Sequence, residues 1–262
     1  MQLIFILVAF GACIVGSICG IGGGVIIKPV LDAFGVYSVS TISFMSGCIV
    51  LSMTAYSVLK VQIAKESVIE KGTSTFLGIG AAIGGIVGKQ LFDIVKNLFD
   101  APNTVGAVQA IVLLIVTLAT LIYTINKSKI KTLQVKNPIV CALIGLALGM
   151  MSAFLGIGGG PINLVVLYYF FSMETKQAAQ NSLYIILLSQ LASLIFTLIT
   201  RSVPEFPIVI FILMVLAGIG GAMAGRAINK KIDGKTVGKL FAALLCVIML
   251  ICCYNAWRFL AI

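Results

Sequence analysis

Polar positions do not alternate with apolar ones along this chain; they punctuate long apolar runs. Uncharged stretches cover Leu3–Ile27, Ala33–Leu59, Gly72–Gly88, Ala101–Asn126, Asn137–Met173, Gln177–Thr200, Phe206–Gly225 and Leu240–Trp257. Most reach the roughly 17–25 residues that a helix needs to cross a hydrocarbon core. The pattern predicts an all-α polytopic membrane protein. The N-terminal run follows Met1-Gln2 without a basic segment, so it reads as mature structure rather than a cleaved signal.

Two of these runs are interrupted by the same five residues. Gly20–Gly24 and Gly156–Gly160 both read Gly-Ile-Gly-Gly-Gly, 136 positions apart. At the same offset Ser46 matches Ser182. Shifted by one, Gly84, Gly88 and Lys89 match Gly221, Gly225 and Arg226. The chain therefore divides into a first membrane repeat at 1–126, a Lys-rich linker at 127–136 and a second repeat at 137–262. Each repeat holds one Gly-broken segment and three ordinary spans.

Composition narrows the function. The chain is 60% hydrophobic and 10% charged, with mean hydropathy +1.17. Soluble domains carry about 25% charged residues. The net charge of +10 sits in short loops, where it sets orientation and does not form a nucleic-acid groove. Seven cysteines lie almost wholly within apolar runs, with no CxxC and no histidine, so no metal site or cofactor is expected.

Charge also bears on topology. If each Gly-broken segment crosses once, the 18 Lys and Arg split nine against nine. If each enters and returns on one side, the halves are inverted and the split becomes 13 against five. The second arrangement satisfies the positive-inside rule. It predicts inverted repeats in the cell membrane, both termini outside and the 127–136 loop in the cytoplasm. Length agrees: Pro161–Met173 is 13 residues, roughly 20 Å of helix, short of a core of roughly 30 Å.

Glycine turns at membrane depth must face protein or water. In inverted repeats such turns surround one midplane site. The arms after the turns, beginning near Val25 and Pro161, would aim helix N-termini at that site, which suits an anion. Pro161 fits a first helical position. Gly80, Gly84, Gly88, Gly221 and Gly225 read instead as close-packing positions.

The duplicated turns within four-segment halves resemble the TauE/SafE family of sulfite exporters and small organic-anion permeases. The resemblance spans the whole chain. It implies secondary transport of sulfite, sulfoacetate or related anions, and homodimers. One departure is Lys28, where an apolar residue is expected; it either marks the membrane boundary or attracts substrate.

The expected substrate-binding residues are Gly20, Gly22, Gly23, Gly24, Ser46, Gly156, Gly158, Gly159, Gly160, Asn163, Asn181 and Ser182. Serine and asparagine donate hydrogen bonds without fixed charge, so an oxyanion can bind and leave. Gln190 suits either this role or an interhelical bond. The acidic residues, Asp32, Glu66, Glu70, Asp93, Asp100, Glu174, Glu205 and Asp233, all fall at or beyond segment ends. Asp32 and Glu174 are the nearest carboxylates for coupling, although both read as solvated loop charge. Coupling to protons at these margins and uncoupled movement down the membrane potential both stay open. An anion channel, a non-transporting anchor subunit and a membrane-embedded transferase are the competing classes. The last lacks any histidine or paired carboxylates to act as a general base.

Overall fold

A computed structural model describes residues 2–69, 71–98 and 102–261. Glu70 and Asp100, assigned above to segment ends, lie outside these residues. The helices are α1 (Gln2–Cys19), α2 (Gly24–Phe34), α3 (Val39–Ile63), α4 (Lys71–Leu98), α5 (Pro102–Asn126), α6 (Pro138–Leu155), α7 (Pro161–Phe171), α8 (Thr175–Ile199), α9 (Ile208–Lys231) and α10 (Gly234–Ala261). No strand occurs among the described residues. Among the described residues, eight helices are long and apolar enough to cross a membrane. The other two, α2 and α7, have 11 residues each, about 16 Å of rise.

Local chemistry sets the helix ends. Asn137 caps α6 by accepting from the Ile139 and Val140 N–H groups, and Pro138 fills the first turn. The helix stops where Gly156 turns left-handed, with φ +65°. At α3 the Ser38 hydroxyl accepts from the Thr41 N–H at 3.1 Å. The last carbonyls of α7 are met by the linker, through Leu133 N–H to Tyr169 O at 2.7 Å and Val135 N–H to Phe170 O at 2.9 Å.

Small residues set the helix pairing. Gly80, Gly84 and Gly88 of α4 lie directly on the backbone at Ala142, Leu146 and Met150 of α6. Gly221 and Gly225 of α9 lie on Phe10 and Ile14 of α1. Numbers rise together in both pairs, so each pair is parallel. No side chain fits at these contacts, which is how helices approach closely without a hydrophobic driving force. Apolar residues such as Leu7, Ile115, Leu143, Val209 and Leu250 remain exposed on the outer faces, as lipid contact requires.

The first hairpin closes on itself. Phe5 of α1 meets the Phe34 ring at 5.6 Å, and Gly23 packs on Cys13. Thus α2 runs back along α1. The next helix, α3, is parallel to α9: Thr41 donates to Glu205 O at 2.9 Å, and Ile49 packs on Gly218. It is antiparallel to α8, since Gly47 meets Gln190 while Ser57 and Val58 share a cavity with Leu183. Finally α4 and α8 are parallel, through Ser74 with Asn181 and Gly85 with Ser189. Helices α1, α3 and α9 therefore run one way, and α4, α6 and α8 the other.

One expectation is corrected here. Asp32 is not solvated loop charge, and Lys28 does not mark a boundary. Both lie within α2, at 7% and 3% exposure, and they pair with each other at 2.6 Å. Charge was read as the edge of lipid contact, but α2 is wrapped by α1, α3 and α10. Its surroundings are protein, where a charge can be kept if its counter-ion sits one turn away.

Candidate substrate site

The two Gly-Ile-Gly-Gly-Gly turns meet each other. A β-carbon on Gly24 would overlap the Ile157 carbonyl oxygen, and one on Gly159 would stand 3.3 Å from Ile21 O. Repeat mates Gly22 and Gly158 have φ +75° and +68°, which L side chains rarely adopt. A β-carbon on Gly158 would stand 2.7 Å from Val50, and one on Gly22 would stand 3.2 Å from it. Ile186, the repeat mate of Val50, presses on Gly159. Val50 and Ile186 are each the twelfth residue of a 25-residue helix. The turns therefore lie level with the middle of two full-length spans.

Two buried hydroxyls beside this junction have no partners, and two more buried polar atoms, on α8 and α7, share that lack. Ser46 Oγ is 2.9 Å from where a β-carbon of Gly24 would stand. The hydroxyl of Ser43 lies against Gly156. Neither has a hydrogen-bond partner, nor do Ser182 Oγ and Asn163 Oδ1. Unpaired buried polar atoms are rare because each forfeits its hydration, so a cluster of them calls for an explanation. Asn181 is different. Its side chain bonds Ser74 Oγ, Gln177 O and Val68 O, which ties α8 to α4 and to the loop before it. Gln190 donates to Ser152 Oγ at 3.4 Å, an interhelical bond between α8 and α6.

A cavity lies on each side of the apposed turns. The first is lined by Ser17, Ser57, Val61, Ala179, Leu183 and Arg226, among others. The second is lined by Ala153, Ser193, Thr197, Ser43, Gly47 and Lys89, among others. The second set is the repeat image of the first, residue by residue. Along α3 the two cavities fall on opposite sides of Val50, and along α8 on opposite sides of Ile186. Each holds a cation from the same repeat position. Lys89 Nζ pairs with Asp93 at 3.1 Å. Arg226 and Lys230 both hold Glu66, at 2.9 and 2.7 Å. Those hydrogen bonds keep the Glu66 carboxyl below the ordinary carboxylate range.

Sequence reasoning missed Ser43, Lys89 and Arg226 as cavity residues. Ser43 sits three residues before Ser46, hence on one helix face. Lys89 and Arg226 were matched as repeat mates but assigned only to orientation. The repeat offset, applied to polar residues and not only to glycines, carried the signal.

Comparison with known proteins agrees with this architecture. No solved structure matches the chain. A curated relative, the "Probable membrane transporter protein YunE" of Bacillus subtilis (strain 168), is 26% identical over 268 aligned positions, covering 93% of this chain and 94% of its own. The family model described as "Sulfite exporter TauE/SafE" matches residues 5–251. Paired glycine turns, eight candidate spans among the described residues and a family match over nearly the whole length lead to one assignment: the chain belongs to the TauE/SafE family of membrane transporters.

Proposed function

We propose that this protein is a secondary carrier for small oxyanions such as sulfite, sulfoacetate or thiosulfate, working by alternating access. The observation that carries the reading is the contact between the two glycine turns, with one repeat-related cavity on each side. A carrier must keep its substrate site from opening to both sides at once. Two matching cavities separated by a closed junction describe an occluded state from which either one can open.

The binding chemistry follows from the parts. Each hairpin presents the start of a short helix, α2 or α7, where the N–H groups of Gly24 and Val25, and of Ile162 after Pro161, precede the first bonds to the capping carbonyls of Gly23 and Gly160. Bare glycine backbone lets an oxyanion approach them. Ser46, Ser182 and Ser43 supply hydroxyls that nothing else uses. Arg226 and Lys89 draw anions into the cavities without standing at the junction.

The same reading treats the halves as inverted repeats. Opposed directions of α1 and α6, of α3 and α8, and of α4 and α9 support it, as does the return of α2 along α1. Both termini then lie outside the cell membrane and the 127–136 loop inside. Cysteines placed at Lys129 and Lys231 are expected to label from the same face; labelling from opposite faces breaks the topology.

Flux of labelled sulfite, sulfoacetate and thiosulfate into proteoliposomes tests the function. Saturable uptake with counterflow is expected. Gly22→Leu and Gly158→Leu are expected to abolish it in protein that still reaches the membrane. Undiminished uptake in those variants removes the glycine site, and flux far above carrier turnover without counterflow would mean a channel.

A further inference from the structure

We propose that Asp32 is the proton-binding group of this carrier and that its protonation releases Lys28 to the anion site. The proton site stands on its own geometry; its coupling to transport rests on the carrier reading above.

The pair is unusual for being incomplete. Lys28 Nζ meets Asp32 Oδ2 at 2.6 Å, with both residues buried. An ion pair out of water is tolerated when its remaining lone pairs are satisfied. Here Asp32 Oδ1 has no partner. Two neighbours share the defect: Gln109 Oε1 and Asn255 Oδ1 are also buried and unpartnered. All three residues line one small, water-sized cavity together with Lys28. The amide orientations are set by their nitrogens. Gln109 Nε2 donates to Phe154 O at 2.6 Å, and Asn255 Nδ2 donates to Pro29 O at 2.7 Å. What remains is three unpartnered acceptor oxygens at one cavity, where the donors left over are the Lys28 ammonium hydrogens not used on Oδ2.

A proton on Asp32 Oδ1 adds a donor among these oxygens, because a protonated carboxyl has one O–H and an ionised one has none. The neighbouring charges favour a proton over a metal cation. Lys28 already places an ammonium on the carboxylate, and Arg258 of α10 donates to Asp32 O and Ala33 O at 2.9 and 2.7 Å. The other titratable neighbour is the Cys252 thiol of α10. Helices α1 and α3 meet the apolar face of α2 through Phe5, Ala9, Ile42 and Met45, which do not titrate, and the Cys13 thiol of α1 packs at its start on Gly23.

The consequence reaches the substrate site. Lys28 Cε lies 3.3 Å from where a β-carbon of Gly156 would stand, so the lysine already touches the second turn. While Asp32 is ionised, the ammonium is neutralised. A proton taken from water onto Oδ1 removes that counter-charge, and a bound anion then becomes the best partner for Lys28. Returning the proton to water on the other side restores the pair and lets the anion leave. Proton and anion thus travel together. The device exists once, since the repeat mates of Lys28 and Asp32 are Leu164 and Tyr168.

Two measurements on the lipid-reconstituted protein test this. Infrared difference spectra on acidification should show the C=O stretch of a buried carboxylic acid, shifted in Asp32→Glu and lost in Asp32→Asn. Thiosulfate, whose charge is constant over the range used, should accumulate several-fold under an inward proton gradient, with matching lumenal acidification. Asp32→Asn should lose that response to the gradient, and Asp32→Glu should keep it. A wild-type titration with no Asp32 band overturns the proton site. Counterflow that ignores the proton gradient, or follows a sodium gradient, overturns the coupling while leaving the carrier reading intact. A clear band with no thiosulfate counterflow removes the coupling together with the carrier reading.

Discussion

The two hairpins share a backbone and differ in charge. Both begin with an apolar helix, turn through Gly-Ile-Gly-Gly-Gly and return as an 11-residue arm. The returning arm of the first hairpin carries Lys28, Pro29 and Asp32; that of the second carries Leu164, Val165 and Tyr168 at the same places. What the halves hold in common is the glycine junction and the cavity beside it. What they do not share is a titratable pair. Recognition of an anion from two sides calls for two similar surfaces, whereas a proton needs a single acceptor.

The sharpest way to break the likeness is at a pair of mates within the turns. A β-carbon on Gly24 would overlap the Ile157 carbonyl and stand 2.9 Å from Ser46 Oγ, while one on Gly160 would meet only Ile157 Cδ1 at 3.3 Å. Backbone cannot yield as the end of a side chain can. Gly24→Ala is therefore expected to remove anion flux, and Gly160→Ala to cost no more than a few-fold. Equal loss in the two variants, measured as initial uptake in proteoliposomes, would mean that the turns are not in contact as described.

Next in size is the charge that only one half carries. Asp32→Ala leaves Lys28 buried without its counter-ion, and breaking such a pair costs about 3–5 kcal/mol. A large drop in thermal midpoint is expected. Removing both charges, as Lys28→Met with Asp32→Asn, makes α2 resemble α7 and should recover most of that loss, because two neutral groups need no pairing. If the double variant is as unstable as the single one, the residues matter through packing, not charge.

Smaller effects are expected at the paired serines. Ser46 and Ser182 occupy the same repeat position, and neither hydroxyl has a partner. Replacing either with alanine removes a donor that an anion would use, at about 1 kcal/mol or roughly fivefold in half-saturation. Stability should hardly change, since no internal hydrogen bond is lost. Similar shifts in the two variants keep the substrate between the halves. A shift in one alone moves it into one hairpin.

Much of this was legible in the sequence, for a physical reason. A glycine cluster inside an apolar run has few uses, and a duplicated one marks the repeat directly. The positions Gly84, Gly88, Gly221 and Gly225 were readable as packing surfaces because small residues at helical spacing permit close approach. Asp32, and Lys28 in its boundary alternative, were misplaced because charge was taken to mean water. That inference holds for a helix facing lipid and fails for a short arm enclosed by other helices. Gln109 and Asn255 gave no signal at all. Their meaning depends on where their amide nitrogens are engaged, which only the packed helices decide. Asn181 was read as a site residue because an asparagine within a span donates hydrogen bonds without charge; its side chain bonds Ser74, Gln177 and Val68.

The smallest expected effect separates the two cavity mouths. At one, Glu66 joins Arg226 and Lys230; at the other, Lys89 holds Asp93. Glu66 and Lys230 are about half exposed, so solvent and salt screen the contact, and exposed pairs add little to stability. The Lys230 and Arg226 hydrogen bonds lower the Glu66 carboxyl. The contact is therefore complete at neutral pH and is lost only as pH falls through that lowered value, which sets its sign: any stabilisation it gives disappears on the acid side. Glu66→Gln should leave the thermal midpoint nearly unchanged at neutral pH and abolish whatever acid-side change the wild type shows from this site. Its clearer consequence is electrostatic. Freed of Glu66, Arg226 and Lys230 present two uncompensated cations at the first mouth, so anion uptake from that side should quicken modestly at low salt and converge on wild type at high salt. Uptake from the side of Lys89 should not change. A gain from both sides, or one that survives high salt, would mean that Glu66 acts on the glycine junction itself and that the two mouths are not independent.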